Sequence, residues 1–229
     1  MNVITKAQLL KPIFFVILAF DLLAIITQHE EWRYVSKPLL VLSLLGYFLN
    51  ETDGMTGGLR TWMILALLLS WAGDVLLLFE ARNDLFFLLG LGSFLLAHTC
   101  YIIFFHLIRL KEGIPGKLWP LLIVAVYYTA LIYLLSPHLG DMKLPVRIYA
   151  IVISFMFMLA MHMIYLPAKK TGQWMLLGAL LFVLSDSILA IDRFYYSFSP
   201  AGWLVMLTYG AAQFALVVGG IKYLKNLKP

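Results

Sequence analysis

The sequence predicts an all-α integral membrane protein with eight transmembrane helices, and three observations carry that reading. Hydrophobic residues make up 62% of the 229 positions and charged residues only 13%, whereas a soluble domain carries about 25% charged residues. The mean hydropathy is +0.91. The long apolar runs are apolar on every side, as in Trp62-Met63-Ile64-Leu65-Ala66-Leu67-Leu68-Leu69, where a barrel strand would alternate polar and apolar positions.

Polar residues, glycines and prolines divide the chain into spans of roughly 20 residues, the length of a helix that crosses a bilayer. The first, 11–27, follows Lys6 and Lys11. Its second half holds Asp21 and bulky aliphatic residues in place of a small-residue cleavage site, so it reads as a retained helix. The second, 35–50, opens at Lys37-Pro38, and the third, 61–79, contains the run quoted above and Asp74. The remaining five are 85–107, 119–136, 147–166, 173–191 and 203–223. Eight spans use about 160 residues and leave no room within these 229 for a soluble domain.

Placing the N-terminus, loops 2–3, 4–5 and 6–7 and the C-terminus on one side gathers Lys6, Lys11, Arg60, Arg109, Lys111, Lys117, Lys169, Lys170, Lys222, Lys225 and Lys228 there. That is 11 of the 17 Lys and Arg. Both termini are therefore expected in the cytoplasm, which in a bacterial host means the inner membrane. Arg33, Lys37, Lys143 and Arg147 fall on the opposite side. Trp32, Trp119, Trp174, Tyr195, Tyr196 and Trp203 fall near span ends, as an interfacial aromatic belt requires. The formal charge of +5 thus reports topology and not a nucleic-acid partner. The single cysteine, Cys100, excludes a disulfide framework and any CxxC motif.

Ionisable groups at membrane depth are costly and usually face a cavity or a partner. Asp74 and Asp186 each stand 14th in their span, roughly 20 Å from the cytoplasmic end. They lie 112 residues apart in similar apolar settings, each followed by an acidic residue and then an arginine. An offset of four helices preserves direction, so the chain could be two parallel four-helix repeats. Two carboxyls at one depth can serve as structural hydrogen-bond partners, as a proton or ion relay, or as a catalytic pair. Asp21 is the next intramembrane acid and carries no motif. His98 and Tyr101 share a helix face one turn apart, while His162, in the Met-rich stretch 156–163, reads as structural. Lys37 begins the second helix and Arg193 closes the seventh, both on the outer side, either as snorkelling end charges or as ligands of a phosphate or carboxylate near the aspartates. Tyr209 and Gln213 place a phenol and an amide one turn apart in the last helix. No HExxH, GxSxG, P-loop or dinucleotide motif occurs.

The strings Ser36-Lys37-Pro38-Leu39, Gly73-Asp74-Val75-Leu76-Leu77, Gly92-Ser93-Phe94-Leu95-Leu96-Ala97-His98-Thr99-Cys100-Tyr101 and Ser185-Asp186-Ser187-Ile188-Leu189-Ala190-Ile191-Asp192-Arg193-Phe194 resemble the YhhN-type lysoplasmalogenase family. Tyr209 and Gln213 supply the Tyr-x-x-x-Gln pattern of its last helix, and the resemblance extends over the second to eighth spans. It implies an intramembrane hydrolase that cleaves the vinyl ether of a lysophospholipid drawn from the bilayer. The products would be a fatty aldehyde and glycerophosphoethanolamine or glycerophosphocholine. It also implies Asp74 and Asp186 as the catalytic pair, with Lys37, His98, Tyr101, Ser185, Arg193, Tyr209 and Gln213 binding or supporting, and no metal or organic cofactor. Two other readings stay open from the residues themselves. One is a transporter that moves protons or cations through Asp21, Asp74 and Asp186. The other is a zinc-dependent lipid hydrolase that uses His98, His162 and an aspartate, for which the ligand spacing is weak.

Overall fold

The computed structural model describes residues 6–227, so Lys228 of the charge count lies outside the described residues. Among the described residues eight α-helices follow one another: α1 (Lys6–Ile26), α2 (Glu30–Glu51), α3 (Gly58–Leu77), α4 (Asp84–Lys111), α5 (Trp119–Leu135), α6 (Lys143–His162), α7 (Lys169–Phe194) and α8 (Ala201–Asn226). Short 3₁₀ turns at Ser136–His138, Gly140–Met142 and Met163–Tyr165 complete the secondary structure, and no strand occurs among the described residues. Six of the helices, α3 to α8, are long and apolar enough to cross a membrane.

Every helix begins at or up to five residues before its expected span, and α2, α4, α7 and α8 also run past its end, because polar residues at the ends extend the hydrogen-bond ladder beyond the apolar stretch. The sixth helix is instead shifted as a whole by four residues, running 143–162 against the expected 147–166. Pro145 fits its first turn, where no intrahelical N–H is needed. At the other end Leu166, which precedes Pro167, is extended (ψ 140°), as the residue before proline prefers. Asn83 starts α4 by accepting the Leu85 N–H at 2.8 Å, a side-chain N-cap that satisfies one of the orphan donors of the first turn.

α8 is the central helix. Every residue of 212–221 is buried, so this stretch presents no face to lipid. Its main partner is α7, and it also touches α1, α2 and α3. α5 sits at the periphery, with Pro120, Val124 and Leu135 as its buried residues, while Leu122, Val126 and Tyr133 are exposed. Inside a bilayer the apolar medium removes the usual hydrophobic drive between helices, so close packing has to hold them together. The α7–α8 contact meets this with small residues. A Cβ at Gly178 would lie 2.8 Å from the Leu216 nitrogen and 2.9 Å from the Ala212 oxygen, and one at Gly219 would lie 3.1 Å from the Met175 nitrogen. Only glycine allows these backbones to approach so closely.

Candidate active site

A cavity of about 230 Å³ opens at the end of the bundle where the even-numbered helices begin and α3 and α7 end. Asp74 and Asp186 both line it, together with Lys37, Tyr149, Ser185 and Tyr209. The rest of its wall is largely apolar, with Phe87, Leu91, Phe94 and Leu189 among the lining residues.

Asp74 lies one turn from the end of α3 and is 1% exposed. Its Oδ2 accepts the Tyr209 hydroxyl at 2.6 Å, and its Oδ1 stands 3.9 Å from the Lys37 ammonium. Tyr209 is reached in turn by the Gln213 amide at 3.4 Å, and Gln213 Oε1 accepts the Tyr101 hydroxyl at 2.8 Å. The four side chains Tyr101, Gln213, Tyr209 and Asp74 thus form one buried hydrogen-bonded series across α4, α8 and α3. Local packing holds the phenol in place. The Phe94 and Phe182 rings meet the Tyr209 ring edge-on at 5.8 and 5.5 Å. Phe94 can lie flat on α3 because Gly73 has no Cβ, which would come within 2.7 Å of that ring.

Asp186 is more open to the cavity, its side chain 15% exposed. Its Oδ2 accepts the Tyr149 hydroxyl at 2.5 Å and lies 3.3 Å from His98 Nε2, which is itself 2.9 Å from the Tyr149 oxygen. His98 is fully buried, and among the described residues its Nδ1 has no hydrogen-bond partner. Ser185 beside it turns away from the carboxyl and donates to the Val205 carbonyl at 3.0 Å, tying α7 to α8.

The two halves of the site share a register. Asp74 and Asp186, Lys37 and Tyr149, and Tyr101 and Gln213 are each 112 residues apart. Each aspartate is met by a side chain from the helix before it, Lys37 of α2 or Tyr149 of α6. Each is also met by one from the last helix of the other half, Tyr209 of α8 or His98 of α4.

The remaining candidates from the sequence separate cleanly. Arg193 does not line the cavity. It pairs with Asp84 at 3.5 Å and lies over the Phe87 ring at 4.8 Å. Its neighbour Asp192 accepts from the Ser197 hydroxyl and the Phe198 N–H, both at 3.1 Å. His162 is occupied at both ring nitrogens, with Nδ1 2.8 Å from the Met158 carbonyl and Nε2 accepting the Lys117 N–H at 3.1 Å. It stands 13 residues beyond Tyr149 on α6, about 20 Å along the helix from His98's partner, so the two histidines do not share a site. Asp21 is fully buried but lies outside the cavity lining, bonded to the Ser36 hydroxyl. Among the described residues, no group of three His, Cys, Asp or Glu side chains could hold a metal ion.

Among the polar lining residues, Tyr149, Arg33 and Glu80 are not singled out by sequence reasoning. The available signal for Tyr149 is its 112-residue offset from Lys37. Arg33 registers in the sequence only as one of the outer-side charges.

The model of the YhhN family matches residues 32–220, a stretch that contains Asp74, Asp186 and the side chains that meet them, but not Asp21. The chain belongs to the YhhN family. Among curated relatives it is similar to the lysoplasmalogenase of Mycobacterium bovis, 32% identical over 163 residues that cover 70% of this chain and 60% of that protein. Lysoplasmalogenase TMEM86B of Sus scrofa is 33% identical over 222 residues, 96% of this YhhN chain and 89% of the pig protein. The human TMEM86B protein is 31% identical over 187 residues, covering 81% of this chain and 74% of its own length. The chain therefore spans about three fifths of the length of the mycobacterial relative and most of the pig one. No solved structure matches it.

Proposed function

We propose that this YhhN-family member is a lysoplasmalogenase, hydrolysing the vinyl ether of a lysoplasmalogen to a fatty aldehyde and glycerophosphoethanolamine or glycerophosphocholine. The observation that carries the reading is that two carboxyls from separate helices meet in one largely apolar cavity, each held by a phenolic donor. Hydrolysis of a vinyl ether begins with transfer of a proton to the β-carbon of the enol ether. The α-carbon then becomes an oxocarbenium ion, water adds to it, and the hemiacetal breaks its C–O bond to release the aldehyde and the glycerol hydroxyl. The reaction needs an acid, an anion beside the developing cation and a placed water. A carboxyl pair with one member protonated and the other ionised supplies the first two, as in glycoside hydrolysis. Asp74 and Asp186 fill these roles as a pair. Tyr209 and Tyr149 orient them, Lys37 balances charge at Asp74, and His98 supports Asp186 through Tyr149. Tyr101 and Gln213 fix Tyr209, and Ser185 holds α7 on α8. No step requires a metal or organic cofactor.

In this reading all eight helices span the bilayer as two parallel four-helix repeats, supported by the shared 112-residue register. Both termini are cytoplasmic, so the cavity opens toward the outer leaflet. A lysolipid entering there keeps its headgroup at the interface and lowers its ether to the carboxyls. The transporter and zinc alternatives lack support from the site: Asp21 is held apart by Ser36, and His162 is committed to main-chain groups.

Mass spectrometry of the purified protein incubated with a lysoplasmalogen and with its saturated alkyl-ether analogue tests the assignment. Aldehyde should appear from the first alone, because only the enol ether can be protonated on carbon to give the stabilised cation. Equal turnover of both would refute the mechanism, and efficient release of fatty acid from an acyl lysolipid would indicate an esterase.

A further inference from the structure

Near the cavity is a second buried carboxyl, which the proposed chemistry does not use. Asp21, in the last third of α1, is completely buried, and its Oδ1 accepts the Ser36 hydroxyl from α2. That same oxygen lies 3.9 Å from Arg33 Nε. Among the described residues, neither Arg33 Nε nor Asp21 Oδ2 has a hydrogen-bond partner. Burying a carboxylate in the outer third of a membrane helix is costly unless a charge compensates it, and a serine hydroxyl alone does not. Arg33 lines the cavity and its side chain is 20% exposed. Its Nη1 reaches Glu30 at 3.3 Å, which leaves Nη2 free of any described protein partner.

Arg33 and Lys37 are four residues apart on α2 and so share a face. Lys37, the deeper of the two, is already paired with Asp74. One helical turn, about 6 Å of rise, separates the level of Arg33 from that of Lys37 and Asp74. In a lysolipid the ether oxygen and the phosphorus are five bonds apart across the glycerol, roughly 6 Å when extended. An ether placed at the carboxyls therefore puts its phosphate at the height of Arg33.

We propose that Arg33 is the phosphate ligand of the cavity and that Asp21 is its positioning residue, holding the guanidinium toward the mouth from behind. The inference rests on the lysolipid reading above and gives Arg33 the headgroup role that the sequence suggested for Lys37 and Arg193.

Binding and turnover together test it. Affinity is measured for an alkyl-ether lysophosphatidylethanolamine, which cannot be cleaved, and for the corresponding alkylglycerol, which has no phosphate. Arg33→Gln should weaken the first by at least tenfold, the scale of one charge-assisted pair, and leave the second unchanged. Asp21→Asn keeps an acceptor for Ser36 but loses the charge, and should show the same selective loss. It should add less than about twofold when Arg33 is already Gln, as expected of coupled residues. On a lysoplasmalogen both variants should raise KM with kcat nearly constant, and Arg33→Lys should recover part of the loss. Inorganic phosphate at the same concentrations should not compete, and Arg33-dependent competition by it would mark a free-anion site instead. Equal loss on both ligands, or unchanged affinity in Arg33→Gln, overturns the proposal. Selective phosphate binding by a protein that leaves the vinyl ether intact would keep this site and refute the hydrolase reading.

Discussion

Tyr209 of α8 donates its hydroxyl to Asp74 of α3 at 2.6 Å, joining residues 135 positions apart. Tyr149 does the same for Asp186 at 2.5 Å. Asp74 and Asp186 therefore each keep one oxygen committed to a phenol. This fixes the orientation of both groups and leaves their other oxygens for a cation or a substrate.

Asp74→Asn and Asp186→Asn should each lower aldehyde release by at least 10²-fold, the lower range for loss of general acid–base catalysis, while the protein still folds. Asn keeps the shape but neither donates a carboxylic proton nor carries the charge. The double variant should be little worse than the worse single one, because residues that act as a unit are non-additive. Near-normal turnover in either single variant removes that residue from the pair.

Tyr209→Phe and Tyr149→Phe remove only a hydroxyl. A hydrogen bond to a charged group is worth about 1.5–3 kcal/mol, so kcat should fall by roughly 10- to 100-fold with KM little changed. Steady-state kinetics on a lysoplasmalogen measure this, and a rise in KM at constant kcat would show that the phenols bind substrate without orienting the carboxyls.

Lys37 and Arg193 both lie toward the cavity end of the bundle, yet they should behave differently. Lys37→Gln should reduce kcat by about tenfold or more, because its ammonium faces Asp74. Arg193→Gln should leave both kcat and KM unchanged, since Arg193 pairs with the exposed Asp84 outside the cavity. A KM increase in Arg193→Gln would return that residue to the headgroup site.

Gly178→Ala should lower the melting temperature in detergent by several degrees. Its Cβ would press on the backbone of α8 within 3 Å, and overpacking of this kind costs about 1–3 kcal/mol. Gly92→Ala is the control, because an added Cβ there meets nothing within 4 Å. Equal stability of the two variants would show that α7 and α8 can part without cost.

The sequence by itself determined the helical membrane class, eight helices close to their observed bounds, and Asp74 and Asp186 as the residues to examine. Bilayer thickness dictates the length of each apolar run, and a carboxyl inside such a run stands out because it is expensive there. The 112-residue spacing of the aspartates is also readable along the chain. Only the tertiary structure decided which side chains meet. Tyr149 is one tyrosine among 12 until α6 turns it toward Asp186, and Arg33 is a loop-proximal charge until α1 and α2 pack Asp21 behind it. Arg193 looks equivalent to Lys37 from position alone, yet it points to Asp84 on α4. In a helix that is apolar on all sides, hydrophobic periodicity does not mark which face is inward. The rotation of each helix, and so the choice of partner, is set by the packing of small residues such as Gly73 and Gly178 against their neighbours.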